Sequence, residues 1–346
     1  MFEKWTNNYY YGKSGKGDFK KEDLPQTRWQ LFWDMLRVRL SGLCRLNLTV
    51  CAAWLPLIFV IGYYVDYFTQ RLQIMTAYEI YLSSGLLEEG FTMETVTGIQ
   101  AMLTELGMDT AQFLATVLKD CIAGAVLWCI PCILITGPVQ AGLAYVTRNW
   151  ARDEHAFAWS DFKDAVKANW KQSLIISAIT SVVPVIVYTS WNFYGELANT
   201  QGVMFMVPQM LVVTIAIVWM LSLVFMYPII VQYEIKTVGL IKNGLMLAIA
   251  RLPQTVGIRL VTLVPAAIAI VALLMTNSLL ALIILAAYYI IIGFCFTRFV
   301  YASYTNGVFD KFINSHMEGV EVNRGLSSDL DDDDDEDEPS SETLSE

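Results

Sequence analysis

Five long stretches without a charged residue constrain the fold of this chain more than any other feature. They cover residues 46–65, 121–147, 172–195, 197–233 and 260–297. A helix of about 20 apolar residues crosses the ~30 Å hydrocarbon core of a bilayer, and the stretches lack the short alternation of a membrane β-barrel. Only 16% of the residues are charged, well below the roughly 25% of soluble proteins. The sequence therefore predicts an all-α integral membrane protein and excludes a soluble enzyme or a disordered chain.

The longest of these stretches is too long for one helix and contains Thr276-Asn277-Ser278 near its middle. Such residues predict a tight turn between two helices. We therefore predict six transmembrane helices. Their approximate bounds are 46–66, 120–146, 172–193, 204–230, 259–276 and 279–298.

The acidic charge of the chain is concentrated at its end. From Glu318 onward there are 13 acidic residues and one basic residue, so residues 1–317 contain 20 acidic and 22 basic residues. A run of like charges repels itself and buries no core. We therefore predict a basic cytoplasmic leader with an amphipathic helix, a six-span membrane domain and an acidic, disordered cytoplasmic tail. These parts cover residues 1–42, 43–306 and 307–346.

The distribution of lysine and arginine predicts the orientation of the spans. If both termini lie on one side, that side contains 21 Lys and Arg residues, and the opposite side contains only Arg71 and Lys119. Cytoplasmic loops are the ones enriched in Lys and Arg, so both termini are predicted to be cytoplasmic. The acidic segment 67–119 is then an external insertion, for which we expect short helices packed against the outer face.

A repeated pattern accompanies the spans. Amphipathic segments at 31–43, 162–170 and 241–249 precede the first, third and fifth spans, and a proline follows inside each of those spans. This spacing predicts three helix-pair repeats, each with an amphipathic cytoplasmic helix before it, and internal repeats underlie many membrane folds. The alternative is that interfacial helices precede the spans of any multi-pass protein.

No cluster in the sequence points to catalysis, a cofactor or a metal ion. Cys129 and Cys132 form a CxxC pair inside a predicted span, without the second ligand pair of a zinc site, and fit small buried hydrophobic residues better. A metal site would have to recruit Asp153, Glu154 and His155, but adjacent side chains rarely point at one ion. We therefore predict a protein that is not an enzyme, with no catalytic residue, cofactor or metal site.

The predicted spans contain almost no charge. Arg259 and Arg298 lie at span ends and are predicted to be interfacial, whereas Asn47 lies deeper. Transport of an ion usually requires charges within the spans. A neutral sugar needs only amides, hydroxyls and aromatic rings, so a carrier or channel for a small neutral solute such as an oligosaccharide stays open as an alternative.

One predicted cytoplasmic segment combines aromatic and basic residues at helical spacing. Residues 152–171 are predicted to form a capped helix that follows a kink at Gly137-Pro138, where the second span leaves the membrane. Aromatic residues and lysines recur along this helix every three or four residues. We therefore predict a docking surface made of Trp159, Phe162, Lys163, Lys167 and Trp170.

Two blocks of sequence resemble a known family. They are GPVQAGLAYVTRNWARDEHAFAWSDFKDAVKANWKQS at residues 137–173 and the leader YYGKSGKGDFKKEDLPQTRWQLFW, which is followed by LCRLNL. Both are similar to blocks of the YesL family of bacterial membrane proteins. The insertion at 67–119 and the acidic tail are not features of that family.

The resemblance implies a localisation and a role. Members of this family are proteins of unknown function in the bacterial cytoplasmic membrane, often encoded beside carbohydrate ABC transporters and their two-component regulators. The resemblance therefore implies an accessory to carbohydrate uptake or its regulation. The implied partners are the lipid bilayer and transporter or sensor subunits, and not nucleic acid. No catalytic residues are established for the family, so the resemblance implies none here.

Overall fold

The computed structural model of this chain describes residues 25–87, 89–276 and 280–326. The predicted leader up to residue 24, the predicted tail from residue 327, and two residues of the predicted turn at 276–278 lie outside the described residues. Within the described residues, every regular element is helical. The predicted all-α fold class is therefore confirmed for this part of the chain.

Nine α-helices follow one another along the described residues. They are α1 (Arg28–Ser84), α2 (Met93–Leu106), α3 (Thr110–Ala151), α4 (Ser160–Gln201), α5 (Met206–Gln232), α6 (Thr237–Ala250), α7 (Leu252–Thr276), α8 (Leu280–Tyr288) and α9 (Phe294–Phe312). A 3₁₀ turn at Val203–Phe205 leads into α5, and another at Asn314–His316 follows α9. A π-helical turn at Tyr289–Gly293 joins α8 to α9.

Six helical segments are long and apolar enough to cross a membrane. They lie in α1, α3, α4, α5 with its preceding turn, α7, and the continuous stretch formed by α8 and α9. Each of the six predicted spans falls on one of these segments. The predicted number of spans is therefore confirmed, and the chain is a multi-pass membrane protein.

The helices extend well beyond the predicted spans. The first two amphipathic segments are not separate helices, because Leu31 and Phe162 lie in α1 and α4, which continue into the spans. A helix that has formed gains a hydrogen bond with each added residue, so it need not end at the membrane surface. Only α6 is separate from its span: Pro253 is tolerated in the first turn of a new helix, but it would disrupt a helix interior.

The insertion contains one separate helix instead of several. In α2 the hydroxyl of Thr92 accepts the N–H of Thr95 at 3.2 Å, and Gly107 ends the helix in the left-handed conformation at φ 64°. The rest of the insertion lengthens α1 and α3. Helix α3 also continues through Gly137-Pro138 without a break, and the kink expected there stays a prediction.

The described chain forms two compact units, and the first contains the larger core. This first unit comprises residues 25–51, 138–173 and 218–326. One cluster of this core comes from α1, α3, α4, α9 and the loop after α3. Its residues are Leu31, Met35, Leu43, Leu46, Val50, Leu143, Val146, Trp150, Ala151, Ala156, Phe162, Cys295, Phe299 and Ala302. Burial of each large apolar side chain stabilises the fold by about 1.5–3 kcal/mol.

The second unit comprises residues 52–137 and 174–217 and has a smaller core. Val96, Ile99 and Leu103 lie on one face of α2 and pack against Met75 and Tyr78 of α1. Many of its other large apolar side chains are exposed, which suits helices that face lipid. The predicted short helix of the insertion therefore packs on α1.

The first unit extends further along the chain than the predicted membrane domain. The predicted tail begins at residue 307, yet α9 continues to Phe312 and buries Phe309 and Asp310. Asn314, just after α9, is also buried. The threefold repeat and the cytoplasmic location of both termini stay predictions.

Candidate functional site

The connection between α3 and α4 forms the framework of the candidate site. Helix α3 ends in a Schellman motif, in which the N–H of Asp153 donates to the Trp150 carbonyl at 3.4 Å and the N–H of Glu154 to the Asn149 carbonyl at 2.9 Å. Asp153 adopts the left-handed conformation at φ 58°, which Asp tolerates better than most residues with a side chain. The chain therefore leaves α3 at a fixed angle and enters α4 eight residues later.

Two side-chain contacts hold the eight-residue loop in place. The indole N–H of Trp150 donates to the carbonyl of Ala156 at 3.0 Å, and the carboxylate of Asp161 accepts the N–H of Phe157 at 2.9 Å. A Cβ on Gly42 of α1 would lie 3.0 Å from the Trp150 ring, so a glycine there allows close packing. Residues 152–159 are thus an ordered loop, and the single capped helix predicted over 152–171 is wrong over its first eight residues.

The five residues of the predicted docking surface divide into two groups. Four are exposed, and they are Trp159, Lys163, Lys167 and Trp170. Phe162 is only 8% exposed and belongs to the core of the first unit. A Cβ on Gly142 of α3 would lie 2.7 Å from the Phe162 ring, so this ring fills the space above a glycine. Phe162 therefore fixes α4 to α3, and the other four residues face outward.

The exposed residues form an aromatic and basic surface. The ammonium group of Lys163 lies 5.2 Å from the ring centre of Trp159, and that of Lys171 lies 5.7 Å from the ring centre of Trp170. Such cation–π contacts contribute about 0.5–1 kcal/mol at exposed sites, which favours one orientation of each pair. We call Trp159, Lys163, Lys167, Trp170 and Lys171 the basic aromatic surface.

A buried charged network lies next to the loop within the first unit. The Asp310 carboxylate pairs with Arg28 at 2.7 Å and with Arg152 at 3.8 Å. It also accepts hydrogen bonds from the Asn314 side chain at 2.5 Å and from the Asn323 N–H at 3.2 Å. A buried carboxylate is stable only with such partners, because burial removes its hydration. We call these five residues the Asp310 network.

The described C-terminal segment is bound to the loop through the same arginine. The Arg152 guanidinium donates to the Glu321 carbonyl at 3.0 Å. Arg324 pairs with Glu154 at 3.7 Å and with the Glu321 carboxylate at 2.5 Å. Gly325 has φ 84°, and a Cβ on it would lie 3.1 Å from the Arg152 carbonyl oxygen. The segment that precedes the acidic tail therefore packs directly on the loop.

Two titratable groups at the edge of this region have shifted pKa values. Burial raises the pKa of the Tyr233 hydroxyl well above its usual value, and the nearby Arg148 opposes the shift. Tyr233 therefore stays protonated at neutral pH and donates to the Asn314 side chain at 2.7 Å. Burial also raises the pKa of the Asp153 carboxyl, while Arg39, 4.0 Å away, opposes it.

Asn47 makes a second set of buried polar contacts in the first unit. Its amide group donates to the carbonyls of Tyr289 and Ile290 at 2.8 and 2.7 Å and accepts the N–H of Cys295 at 2.9 Å. These groups belong to the π-helical turn and the start of α9, where the regular helix hydrogen bonds are displaced. Asn47 is fully buried and supplies hydrogen-bond partners that the turn itself lacks.

The sequence indicated the loop but not the Asp310 network. The pattern assigned Arg28 to the leader and Asp310 to the tail, because single charged residues near the chain ends usually face water. The three adjacent residues that a metal site would have to recruit also contact different partners. Glu154 pairs with Arg152 at 3.2 Å, and the His155 ring packs against Phe157 at 4.6 Å. A usable signal for Asp310 was its position directly after the apolar pair Val308 and Phe309, beyond the last predicted span.

Comparison with known proteins gives a family match for the region around the α3–α4 loop. Residues 116–191 match the family model described as a protein of unknown function, DUF624, which is the YesL family. The match includes most of α3, the loop and the first three quarters of α4. No curated protein and no solved structure matches the chain. The resemblance drawn from the sequence is therefore confirmed over residues 116–191, the part of this chain that matches the model of the YesL family.

Proposed function

We propose that this chain is a non-enzymatic membrane protein that assists carbohydrate uptake or its regulation in the bacterial cytoplasmic membrane. It would bind a subunit of a carbohydrate ABC transporter, or of the sensor that controls it, through the basic aromatic surface. The proposal rests on the implied role of the YesL family and on the geometry of α4. It keeps both termini and the α3–α4 loop on the cytoplasmic side, as the Lys and Arg distribution predicts.

The observation that carries the proposal is the exposure of two tryptophans beside a row of lysines. Trp159, at the end of the loop, is 54% exposed, and Trp170 of α4 is 47% exposed, although Phe162 between them packs into the core. Exposed tryptophans are enriched at the centres of protein interfaces, where they fill pockets of the partner. A helix with a fixed core-facing side and a free aromatic side suits such a contact.

The charge of the surface specifies the chemistry of the partner. Lys163, Lys167 and Lys171 are all exposed and lie on α4 together with Trp170, and Trp159 directly precedes this helix. Opposite charge on the two sides of an interface raises the association rate and fixes the orientation of the partners. The expected partner is therefore an acidic cytoplasmic surface of a transporter or sensor subunit with an apolar pocket for a tryptophan.

The test is co-purification from the native membrane with an affinity-tagged chain. Lys163→Glu combined with Lys167→Glu should greatly reduce the amount of transporter or sensor subunit recovered, without changing the yield of the tagged chain. The matched control is Lys236→Glu combined with Lys242→Glu, which reverses two exposed lysines elsewhere in the first unit. Equal recovery with both double variants would contradict docking through this surface.

A transport assay separates this proposal from its alternative. The purified chain alone, in liposomes that contain labelled oligosaccharides, should show no flux above that of protein-free liposomes. Saturable flux by the chain alone would instead support a carrier or channel for a small neutral solute. Unfolded protein would also show no flux, and it is identified by the loss of its thermal unfolding transition.

A further inference from the structure

Two arginines from different helices of the first unit meet at one tyrosine. Arg259 of α7 donates to the hydroxyl of Tyr301 at 2.6 Å, and its charge lies 5.5 Å from the centre of that ring. The Arg298 charge, from α9, lies 5.8 Å from the same ring centre. Thr262 also shares a hydrogen bond of 3.0 Å with the Tyr301 hydroxyl. Tyr301 therefore fixes the positions of both guanidinium groups.

The remaining partners of the two arginines are neutral. Arg298 donates through Nε to the side chain of Gln140, and its charge lies 4.8 Å from the ring centre of Tyr227. Arg259 donates a second hydrogen bond to the Met220 carbonyl at 3.1 Å. Among the residues that the structure describes, neither guanidinium forms an ion pair with a carboxylate.

This arrangement leaves two positive charges and several N–H donors available to a ligand. A guanidinium has five N–H donors, and the contacts of Arg298 with side chains and carbonyls use only its Nε. Arginine donors match the oxygens of a phosphate group in pairs. The buried side chains of Gln140 and Tyr227 hold Arg298 in place before any ligand binds. The chemical group that fits these donors is thus an oxyanion.

The positions of the arginines in the chain indicate where this oxyanion comes from. Arg259 directly precedes the uncharged stretch 260–297, and Arg298 directly follows it. The last two predicted spans lie largely within this stretch, so both arginines lie on the same predicted membrane face. Leu260 and Val261, next to Arg259, are each 60% exposed and offer apolar contact beside the charges. The ends of spans lie at the membrane surface, where the phosphate groups of phospholipids are found directly above the acyl chains.

We propose that Arg259 and Arg298 bind the phosphate group of an anionic phospholipid, with Tyr301 between them as the residue that positions both guanidinium groups. The lipid phosphate accepts the free N–H donors, and the acyl chains lie along the exposed apolar residues of α7. This site is separate from the basic aromatic surface, and neither proposal depends on the other.

The test measures lipid binding by the full chain, purified in a neutral detergent. Phosphatidylglycerol should raise the thermal unfolding midpoint and remain bound in native mass spectra, whereas phosphatidylcholine should do neither. Arg259→Gln and Arg298→Gln should each lower the affinity for phosphatidylglycerol by about tenfold or more, because each removes charge-assisted hydrogen bonds. Arg251→Gln is the matched control, since Arg251 also lies over an aromatic ring, that of Phe312 at 4.6 Å.

Several outcomes would overturn the proposal. One is equal affinity of the parent chain for phosphatidylglycerol and phosphatidylcholine, and another is an equal loss of affinity in all three variants. Stabilisation by inorganic phosphate or glycerol phosphate, without bound lipid, would assign the site to a soluble oxyanion instead of a lipid. If Arg298→Gln does not fold, Arg298→Lys replaces it, because lysine keeps the charge but loses the paired donors.

Discussion

The two compact units differ most in their charge. Over residues 25–326, the first unit contains 16 Lys and Arg residues and 9 acidic residues, whereas the second contains 2 and 9. Positive charge marks the cytoplasmic parts of membrane proteins. The unit that contains the predicted cytoplasmic segments is therefore the basic one, although it also contains both spans of the last predicted hairpin.

The units also differ in how they are held together. The first buries one core cluster of fourteen residues together with the charged pair Arg152 and Asp310, and it includes the described C-terminal segment. The second has a core of five residues around α2 and exposes large apolar side chains such as Phe59 and Trp128. The first unit thus adds buried charged contacts to its apolar core, whereas the second unit has a small apolar cluster around α2.

The sharpest test of this comparison is a labelling experiment with an all-or-none result. A cysteine at Glu89, in the second unit, should react with an impermeant maleimide in intact cells, because the acidic loops of that unit are predicted to be external. A cysteine at Lys163, in the first unit, should react only after permeabilisation. The parent chain with its own six cysteines provides the background. Labelling of Lys163→Cys in intact cells would refute the predicted orientation.

The largest stability effect should come from the Asp310 network. Asp310→Ala leaves Arg28 and Arg152 without their buried partner and should destabilise the protein by about 3–5 kcal/mol. The matched control is Glu105→Ala in the second unit, an exposed carboxylate for which the change should be within about 0.5 kcal/mol. The thermal unfolding midpoint and the yield of monodisperse protein measure both. Similar midpoints for the two variants would show that Asp310 is not a structural centre.

A smaller effect should follow from Asn47→Leu. This change leaves two carbonyls and one N–H around the π-helical turn without partners and should cost about 2–4 kcal/mol. In the second unit, Gln209→Leu removes a single hydrogen bond, to the Trp191 carbonyl at 3.1 Å, and should cost about 1 kcal/mol. Thermal unfolding in the same detergent compares the two. If Gln209→Leu is the more damaging, the contrast in polar contacts between the units is wrong.

The smallest effect should differ in sign between the units. Gly142→Ala places a methyl group 2.7 Å from the Phe162 ring and should destabilise the protein by about 1–3 kcal/mol. Gly62→Ala in the second unit meets no atom within 4 Å and should stabilise helix α1 by about 0.5–1 kcal/mol. Unfolding midpoints should therefore shift in opposite directions. A shift of the same sign in both variants would mean that α3 and α4 are not tightly packed at Gly142.

Much of the candidate site followed from the sequence, but the roles of its residues did not. The pattern of Phe162, Lys163 and Lys167 predicted a helix with one apolar and one basic face, and α4 has both. Trp170 follows Phe162 at helical spacing and was expected on the same face. It is nevertheless 47% exposed, while Phe162 is 8% exposed. Spacing places residues on a face, but only a neighbour such as Gly142 determines which of them is covered.

The sequence alone determined six membrane-length apolar segments and the resemblance of residues 116–191 to the YesL family, because hydropathy and family motifs are local properties. The tertiary structure decided which polar residues are buried together. Arg28 and Asp310 are 282 positions apart, and Asn47 and Cys295 are 248 apart, so no local pattern links them. Such pairs become visible only when helices distant in the chain pack together, since a buried polar group must then find its partner there.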